Sequence, residues 1–343
     1  MNRGGVFKEK MRLFEKLLDA VIVEQVSPEL YCRKYLGHLM NHRQYYLAIY
    51  ADVLDKLVSH AKKNVAEISM IDYGAGNGML GIFAKYCGFK NVFINDIDEK
   101  FVAASRKLSM QLNVPVDGYI TGDIHTVQNF FQNDLPCAIV GTDVIEHIYN
   151  LEVFFNVIRN INPSMVSVFT TASNPKNYFK VRRLKKLQVK DEYEGGTPDD
   201  FVLFGDSPLE PFFKTRLKMI QSQLGTNDEA TLLKLAKATR GMNKEDILAV
   251  AKNYDINGTI PLPPVHPTNT CNPVNGSWTE RILTIEEYLS IYHSNGMKLH
   301  MYNGFYNEHG RGVKKLLNKV LNKCIDSLGS LLAPFIIFVG TKK

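Results

Sequence analysis

Between Ile68 and Ala172, five short runs rich in Val, Ile and Phe alternate with segments of helical periodicity. The runs are "ISMIDY", "NVFINDI", "DGYIT", "CAIVGTD" and "MVSVFTTA". Between them stand "GMLGIFAKYCG", "EKFVAASRKLSMQL", "HTVQNFFQN" and "LEVFFNVIRNI". One helix per strand predicts successive βαβ units, and therefore a parallel sheet covered on both faces. The alternation stops after Ala172 and resumes near the C-terminus. There "TIEEYLSIYHSNG" has a capping pair, Thr284 and Glu287, and a closing Gly296. Two further strand runs follow, "KLHMYNGFY" and "FIIFVGT", with a basic amphipathic segment between them.

This pattern divides the chain into four parts. Residues 1–66 read as an N-terminal helical segment, with Leu13, Leu17 and Val21 at helical spacing. Residues 67–175 form the α/β core, 176–281 an insertion, and 282–343 the completion of the core sheet. The insertion opens with the polar, charged stretch "NPKNYFKVRRLKKLQVKDEYEGGTPDD". "DEATLLKLAKATRG" and "NKEDILAVAKNY" read as two short helices, the first stopping at Gly241 and the second opened by Asn243 and Asp246. The proline-rich "TIPLPPVHPTNTCNPVNGSW" reads as a long irregular loop, and the whole insertion as a lid over a substrate region.

"MIDYGAGNGMLG", Met70–Gly81, joins the first strand to the first core helix. Glycines at 74, 76 and 78 permit positive φ and let a ligand approach bare N–H groups at a helix N-terminus. Asp96, 22 residues beyond Gly74, ends the second strand, where an acid can accept both ribose hydroxyls. These features fit a nicotinamide dinucleotide and S-adenosylmethionine equally. Two details separate them. A dinucleotide fingerprint needs glycine where Met79 stands, and Asp72 can hold a cationic amino group, which the methionine part of S-adenosylmethionine carries. Asp123 in "TGDI" stands where it can accept from an adenine amino group.

Taken in order, "MIDYGAGNG", "NDID", "TGDI" and "TDVIEHI" resemble the class I S-adenosylmethionine-dependent methyltransferases over residues 68–172, and more weakly over 282–343. The resemblance implies a Rossmann-like α/β sheet of seven strands, mostly parallel with the last antiparallel, flanked by helices. It also implies cofactor contacts from Asp72, Gly74, Ala75, Gly76, Gly78, Asp96, Ile97, Asp123, Ile124 and Thr142. "Asp143-Val-Ile-Glu146-His147" is similar to the E-x-x-E-H stretch of the ubiquinone-synthesis O-methyltransferases, with Asp143 in place of the first acid. That likeness leaves three roles open. Asp143, Glu146 and His147 hold a divalent ion such as Mg²⁺; or His147 takes a hydroxyl proton directly; or Glu146 and His147 brace the next helix.

The expected activity is O-methylation of a small molecule or a glycan or lipid precursor. The alternatives are a non-catalytic nucleotide-binding module and a nucleic-acid methyltransferase. "SNPKNY" lacks the second proline of an NPPY box and no catalytic Cys is evident, so no nucleic-acid partner is expected. Seven cations between Lys176 and Lys190 suggest an anionic acceptor, with Tyr178 and Arg183 on the substrate side. Trp278 is a candidate for stacking on a sugar ring, and Arg281 for pairing with a carboxylate or phosphate.

Composition narrows the setting. Five scattered cysteines without a CxxC pair argue against a zinc or disulfide framework and for a reducing, cytoplasmic compartment. The charge-punctuated N-terminus lacks a signal-peptide core, and the run "LLAPFIIFVG" is too short to span a bilayer. The basic amphipathic segment within 313–333 reads as a helix covering the sheet with Val313, Leu317, Val320, Cys324 and Leu328, peripheral membrane contact being the alternative.

Overall fold

The computed structural model describes residues 6–132, 135–196, 210–262, 264–310 and 312–343. Residues 197–200 of the charged stretch and Pro263 of the proline-rich one lie outside the described residues. The chain forms two compact units. The first comprises the described residues of Met1–Ile145, Leu151–Thr171 and Ile285–Lys343; the second comprises Glu146–Asn150 and those of Ala172–Thr284.

The first unit begins with α1 (Lys8–Leu17), α2 (Val23–Val26), α3 (Leu30–Asn41) and α4 (Arg43–Ala61). It continues as β1 (Ser69–Tyr73), α5 (Met79–Cys87), β2 (Asn91–Asp96), α6 (Glu99–Gln111), β3 (Gly118–Thr121), α7 (Ile124–Phe130), β4 (Ala138–Thr142), α8 (Leu151–Ile161) and β5 (Val166–Thr171). The second unit then contributes α9 (Tyr178–Tyr193), α10 (Phe212–Leu224), α11 (Glu229–Ala238) and α12 (Lys244–Asn257). The chain returns to the first unit with α13 (Ile285–Ser294), β6 (Met297–Asn303), α14 (Gly312–Leu328) and β7 (Ile336–Lys342).

The seven strands form one sheet in the order β3-β2-β1-β4-β5-β7-β6. β1 to β5 run parallel, as in the registers Asp72↔Ile94 and Val140↔Val168, and β7 is antiparallel to both its neighbours. The strand order reverses between β1 and β4, and in an open sheet of this kind ligands bind outside the carboxyl ends at that switch point. All six residues of β5 are buried, as a strand covered on both faces requires. The N-terminal helices share the sheet's core: Phe14, Leu36 and Leu54 belong to the same buried cluster as Met70, Ile94, Val140 and Val339.

The second unit has its own small apolar core of Ile220, Leu232, Leu235, Ala236, Ile247 and Ala251. Beside it lies a fully buried ion pair. The Arg216 guanidinium grips the Glu192 carboxylate with both terminal nitrogens, and its Nε donates to the Ala236 carbonyl at 3.1 Å. Thr270 Oγ1 donates to the same carboxylate at 2.7 Å.

Three elements differ from the sequence reading. Helix α10 was not anticipated, because its buried stripe, Phe212, Arg216 and Ile220, has a cation at the centre. Helix α11 ends at Ala238, before Gly241, where the Thr239 hydroxyl turns back to the Leu235 carbonyl at 2.8 Å. The correction at α14 is larger. Its buried residues are Asn318, Asn322 and Ile325, while Val313, Leu317, Val320 and Leu328 are exposed. Asn318 and Asn322 face inward because their amides bond the preceding loop, at the Asn307 and Tyr306 carbonyls.

Candidate functional site

The turn after β1 is built from backbone that only glycine adopts without strain. Gly74, Gly76 and Gly78 have φ of 64°, 54° and 73°. A Cβ at Gly78 would stand 2.6 Å from Ser105 Cβ, so the start of α5 sits directly against α6. Two carboxylates surround this turn. Asp72 is 1% exposed and accepts from the Gly81 amide at 2.7 Å. Burial raises its pKa to about 7 against that hydrogen bond, with Asp96 adding repulsion. Asp96 accepts from the Gly76 amide at 2.8 Å and from the Asp98 amide at 3.0 Å. Burial raises it to about 6 despite those bonds. The pair is thus a buried acidic site whose ionised form gains most from a cation or from hydroxyl donors.

The other expected cofactor residues lie along the same carboxyl ends. Ala75 donates its amide to the Asn95 carbonyl at 2.9 Å. Ile97 is 68% exposed directly after β2, an apolar side chain left open beside the acid. Asp123 caps α7 by accepting from the Thr126 amide at 3.0 Å, with Ile124 buried behind it. Thr142 ends β4, half-buried.

Asp143 follows with φ of 52°, a left-handed conformation uncommon for a side-chain-bearing residue though tolerated by aspartate. Thr170 of β5 holds it there. The Asp143 amide donates to the Thr170 hydroxyl at 3.1 Å, and that hydroxyl donates to Asp143 Oδ1 at 3.3 Å.

A feature absent from the sequence reading faces this turn. "YCRKYLGHLMNHRQYYLAIY", residues 31–50, concentrates five tyrosines and His38 on α3 and α4, with His42 at the junction between them. Tyr35 packs on Gly76, where a Cβ would be 2.8 Å from its Cε1. Burial raises the hydroxyl pKa of Tyr35, Tyr45 and Tyr46, and the Asp143 charge adds to it in each case. His38 Nε2 lies 3.0 Å from the Tyr46 hydroxyl, and burial lowers the pKa of that histidine. The tyrosine density was the available signal; helical periodicity alone made it look like packing.

Glu146 and His147 belong to the second unit. Glu146 is buried, and its Oε1 accepts from the Ala172 amide at 3.0 Å. His147 Nδ1 lies 2.7 Å from the Trp278 carbonyl. A carbonyl only accepts, so Nδ1 carries the proton and Nε2 the lone pair. Among the described residues no group of three His, Cys, Asp or Glu side chains gathers to hold a metal ion, the expected Asp143, Glu146 and His147 set included.

The proposed substrate side chains are also in the second unit. Tyr178 and Arg183 are exposed on α9. Tyr178, Arg182, Lys185 and Lys186 line an open groove of about 600 Å³ with Val181, Val189 and Glu194. Trp278 is engaged internally. Its ring stacks with Tyr149 at 6.1 Å, its Nε1 donates to the Tyr149 carbonyl at 3.1 Å, and the Arg281 guanidinium lies 4.3 Å from its ring centre. Gly241 closes a further side, since a Cβ there would be 2.8 Å from the indole.

No family model matches the chain. A ubiquinone biosynthesis O-methyltransferase of Rickettsia akari (strain Hartford) is 21% identical over 128 residues, 37% of this chain and 49% of that protein. An uncharacterized protein of Methanocaldococcus jannaschii is 36% identical over 85 residues, 25% of this chain and 36% of that protein. The chain therefore spans about half the length of the first relative and less of the second. Among solved structures, an S-adenosylmethionine-dependent methyltransferase from Archaeoglobus fulgidus is similar at 12% identity and a TM-score of 0.43, over 90% of this chain and 99% of that one. The sheet order, the reversed seventh strand and the glycine turn at the switch point are those of the Rossmann-like fold that the resemblance to class I S-adenosylmethionine-dependent methyltransferases implies.

Proposed function

We propose that the chain binds S-adenosylmethionine at the turn after β1 and transfers its methyl group to a hydroxyl of a small molecule or of a glycan or lipid precursor. The observation that carries this reading is the left-handed glycine turn between two buried acids. Asp72 suits the cofactor's ammonium group and Asp96 the ribose hydroxyls; Ile97 offers its open apolar surface to the adenine. When bound, the cofactor supplies an electrophilic methyl on sulfur. The acceptor oxygen forms a bond to that carbon as the carbon–sulfur bond breaks, and the hydroxyl proton leaves to a base. His147 suits that role because its lone pair lies on Nε2. The basic groove along α9 supports an anionic acceptor.

Calorimetry with S-adenosylhomocysteine tests the cofactor assignment, and the absence of binding overturns it. A metabolite extract supplied with methyl-labelled cofactor, with and without EDTA, identifies the acceptor. Full label transfer in EDTA is expected. Loss of turnover in His147→Ala with unchanged S-adenosylhomocysteine affinity supports the base; unchanged turnover removes it.

A further inference from the structure

Helix α14 presents an apolar stripe to solvent, contrary to what a sheet-covering helix does. Val313 is 84% exposed, Leu316 65%, Leu317 54% and Val320 50%, and Leu328 and Leu331 continue the line. The spacing of three and four residues places these side chains on one face. Lys315, Lys319 and Lys323 recur at four-residue intervals along one border of it, and Lys314 lies on the other side. Asp326 is the only acid on the helix. The helix is 17 residues long, about 25 Å. Among the described residues no helix is long and apolar enough to cross a membrane.

We propose that α14 is a membrane-surface helix that seats the first unit on an anionic bilayer, its valines and leucines entering the interface and its lysines meeting lipid phosphates. The composition selects lipid over protein. The buried centre of a protein interface is enriched in aromatic residues and arginine and depleted in lysine. This face has no aromatic residue and no arginine, and all four cations of the helix are lysines, whose long stems let the ammonium reach the headgroups. The asparagines provide the complementary half, since Asn318 and Asn322 fasten the opposite side of the helix to the loop before it.

Topology sets the orientation. β6 and β5 are both antiparallel to β7, so β6 points the same way as β1 to β5. The connection over 304–335, which contains α14, therefore leaves and re-enters the sheet at the carboxyl-end side. Tyr45 of the tyrosine cluster donates to the Phe305 carbonyl in that connection at 3.0 Å. A bilayer docked on α14 thus lies at the edge on which the glycine turn opens. Surface binding itself is independent of the methyl-transfer reading.

Co-sedimentation of the full chain with vesicles of equal parts phosphatidylglycerol and phosphatidylcholine, against phosphatidylcholine alone, tests the proposal. Binding to the first only, weakened by salt, is expected. Lys319→Gln with Lys323→Gln should reduce partitioning about 30-fold, from the usual contribution of a lysine near an anionic surface. Leu317→Asp with Val320→Asp should abolish it while thermal unfolding stays in place, because both positions are exposed. The proposal is overturned by absence of wild-type binding. It is equally overturned by binding that ignores all four substitutions, or by light scattering that shows a dimer split by Leu317→Asp without vesicle binding.

Discussion

Replacing Gly78 by alanine isolates what the glycine turn requires. Gly78 has φ of 73° and caps α5, so alanine there incurs the left-handed penalty of about 1–2 kcal/mol. Its Cβ would also stand 2.6 Å from Ser105 Cβ and 2.8 Å from Ile94 Cδ1. The isoleucine methyl can rotate, but Ser105 Cβ is fixed to the backbone of α6, so the helix itself has to shift. Overpacking of this kind costs about 1–3 kcal/mol, for a total of about 2–5 kcal/mol. Gly88→Ala is the matched control. Its φ is 99° and nothing lies within 4 Å of the added carbon, so it carries the backbone cost alone. Urea unfolding followed by circular dichroism, with hydrogen exchange read on α5 amides, measures both. Gly78→Ala should fall below Gly88→Ala by the packing cost and should also lose affinity for S-adenosylhomocysteine, which the control retains. Equal destabilisation of the two variants would refute the close packing of α5 on α6.

Cofactor affinity should depend on pH through the two buried acids. Asp72 and Asp96 titrate at about 7 and about 6 in the free fold, above the ordinary carboxylate value. The native state therefore holds protons that the unfolded chain has released, and these groups' contribution to stability falls as pH rises from about 4 to about 7. A bound ammonium group favours the ionised acids, so binding expels protons and affinity for S-adenosylhomocysteine rises up to about pH 7. An affinity flat from about pH 5 to about pH 8 would count against Asp72 as the ammonium partner. Asp143→Gly should change stability by less than about 1 kcal/mol, because relief of the positive φ offsets loss of the Thr170 hydroxyl bond to the carboxylate, and a urea titration checks this. In the second unit, Arg216→Met leaves the Glu192 carboxylate buried without its cation and should destabilise by about 3–5 kcal/mol. The emission of Trp278, the chain's single tryptophan, follows that unit's unfolding, and adding Glu192→Gln should restore much of the loss.

The sheet was legible because its strands are apolar runs between glycine, aspartate and asparagine punctuation. Met70 and Ile71 of β1, or Val168 and Phe169 of β5, leave little else for those residues to do. The second unit was hard to read for the opposite reason. Its helices α9 and α10 bury Gln188, Glu192 and Arg216, and pattern reading assigns such residues to solvent. Gln188 donates to Asn269 Oδ1 and to the carbonyls of Thr279 and Glu280, a network in which each polar atom needs a partner far away in sequence. On α14 the error ran the other way, because periodicity shows that a helix has two faces but not which one the fold covers. Of the candidate site, the glycines, Asp72 and Asp96 were visible from local spacing. Tyr35 against Gly76 was not, since it depends on how α3 lies on the turn.

The hydrogen bond from His147 to the Trp278 carbonyl has a consequence for how that histidine can evolve. A carboxylate partner is a side chain; one substitution removes it, and acid neutralises it. A carbonyl oxygen belongs to the main chain and does not titrate. The ring's polarity therefore persists whatever residue stands at 278, provided the backbone keeps the Cys271–Trp278 bridge and the return bond from the Trp278 amide to the His147 carbonyl at 3.2 Å. The direction in which the imidazole faces is stored in a loop conformation and is shielded from point mutation. A substitution at 278 that preserves this loop backbone also preserves the direction of the ring.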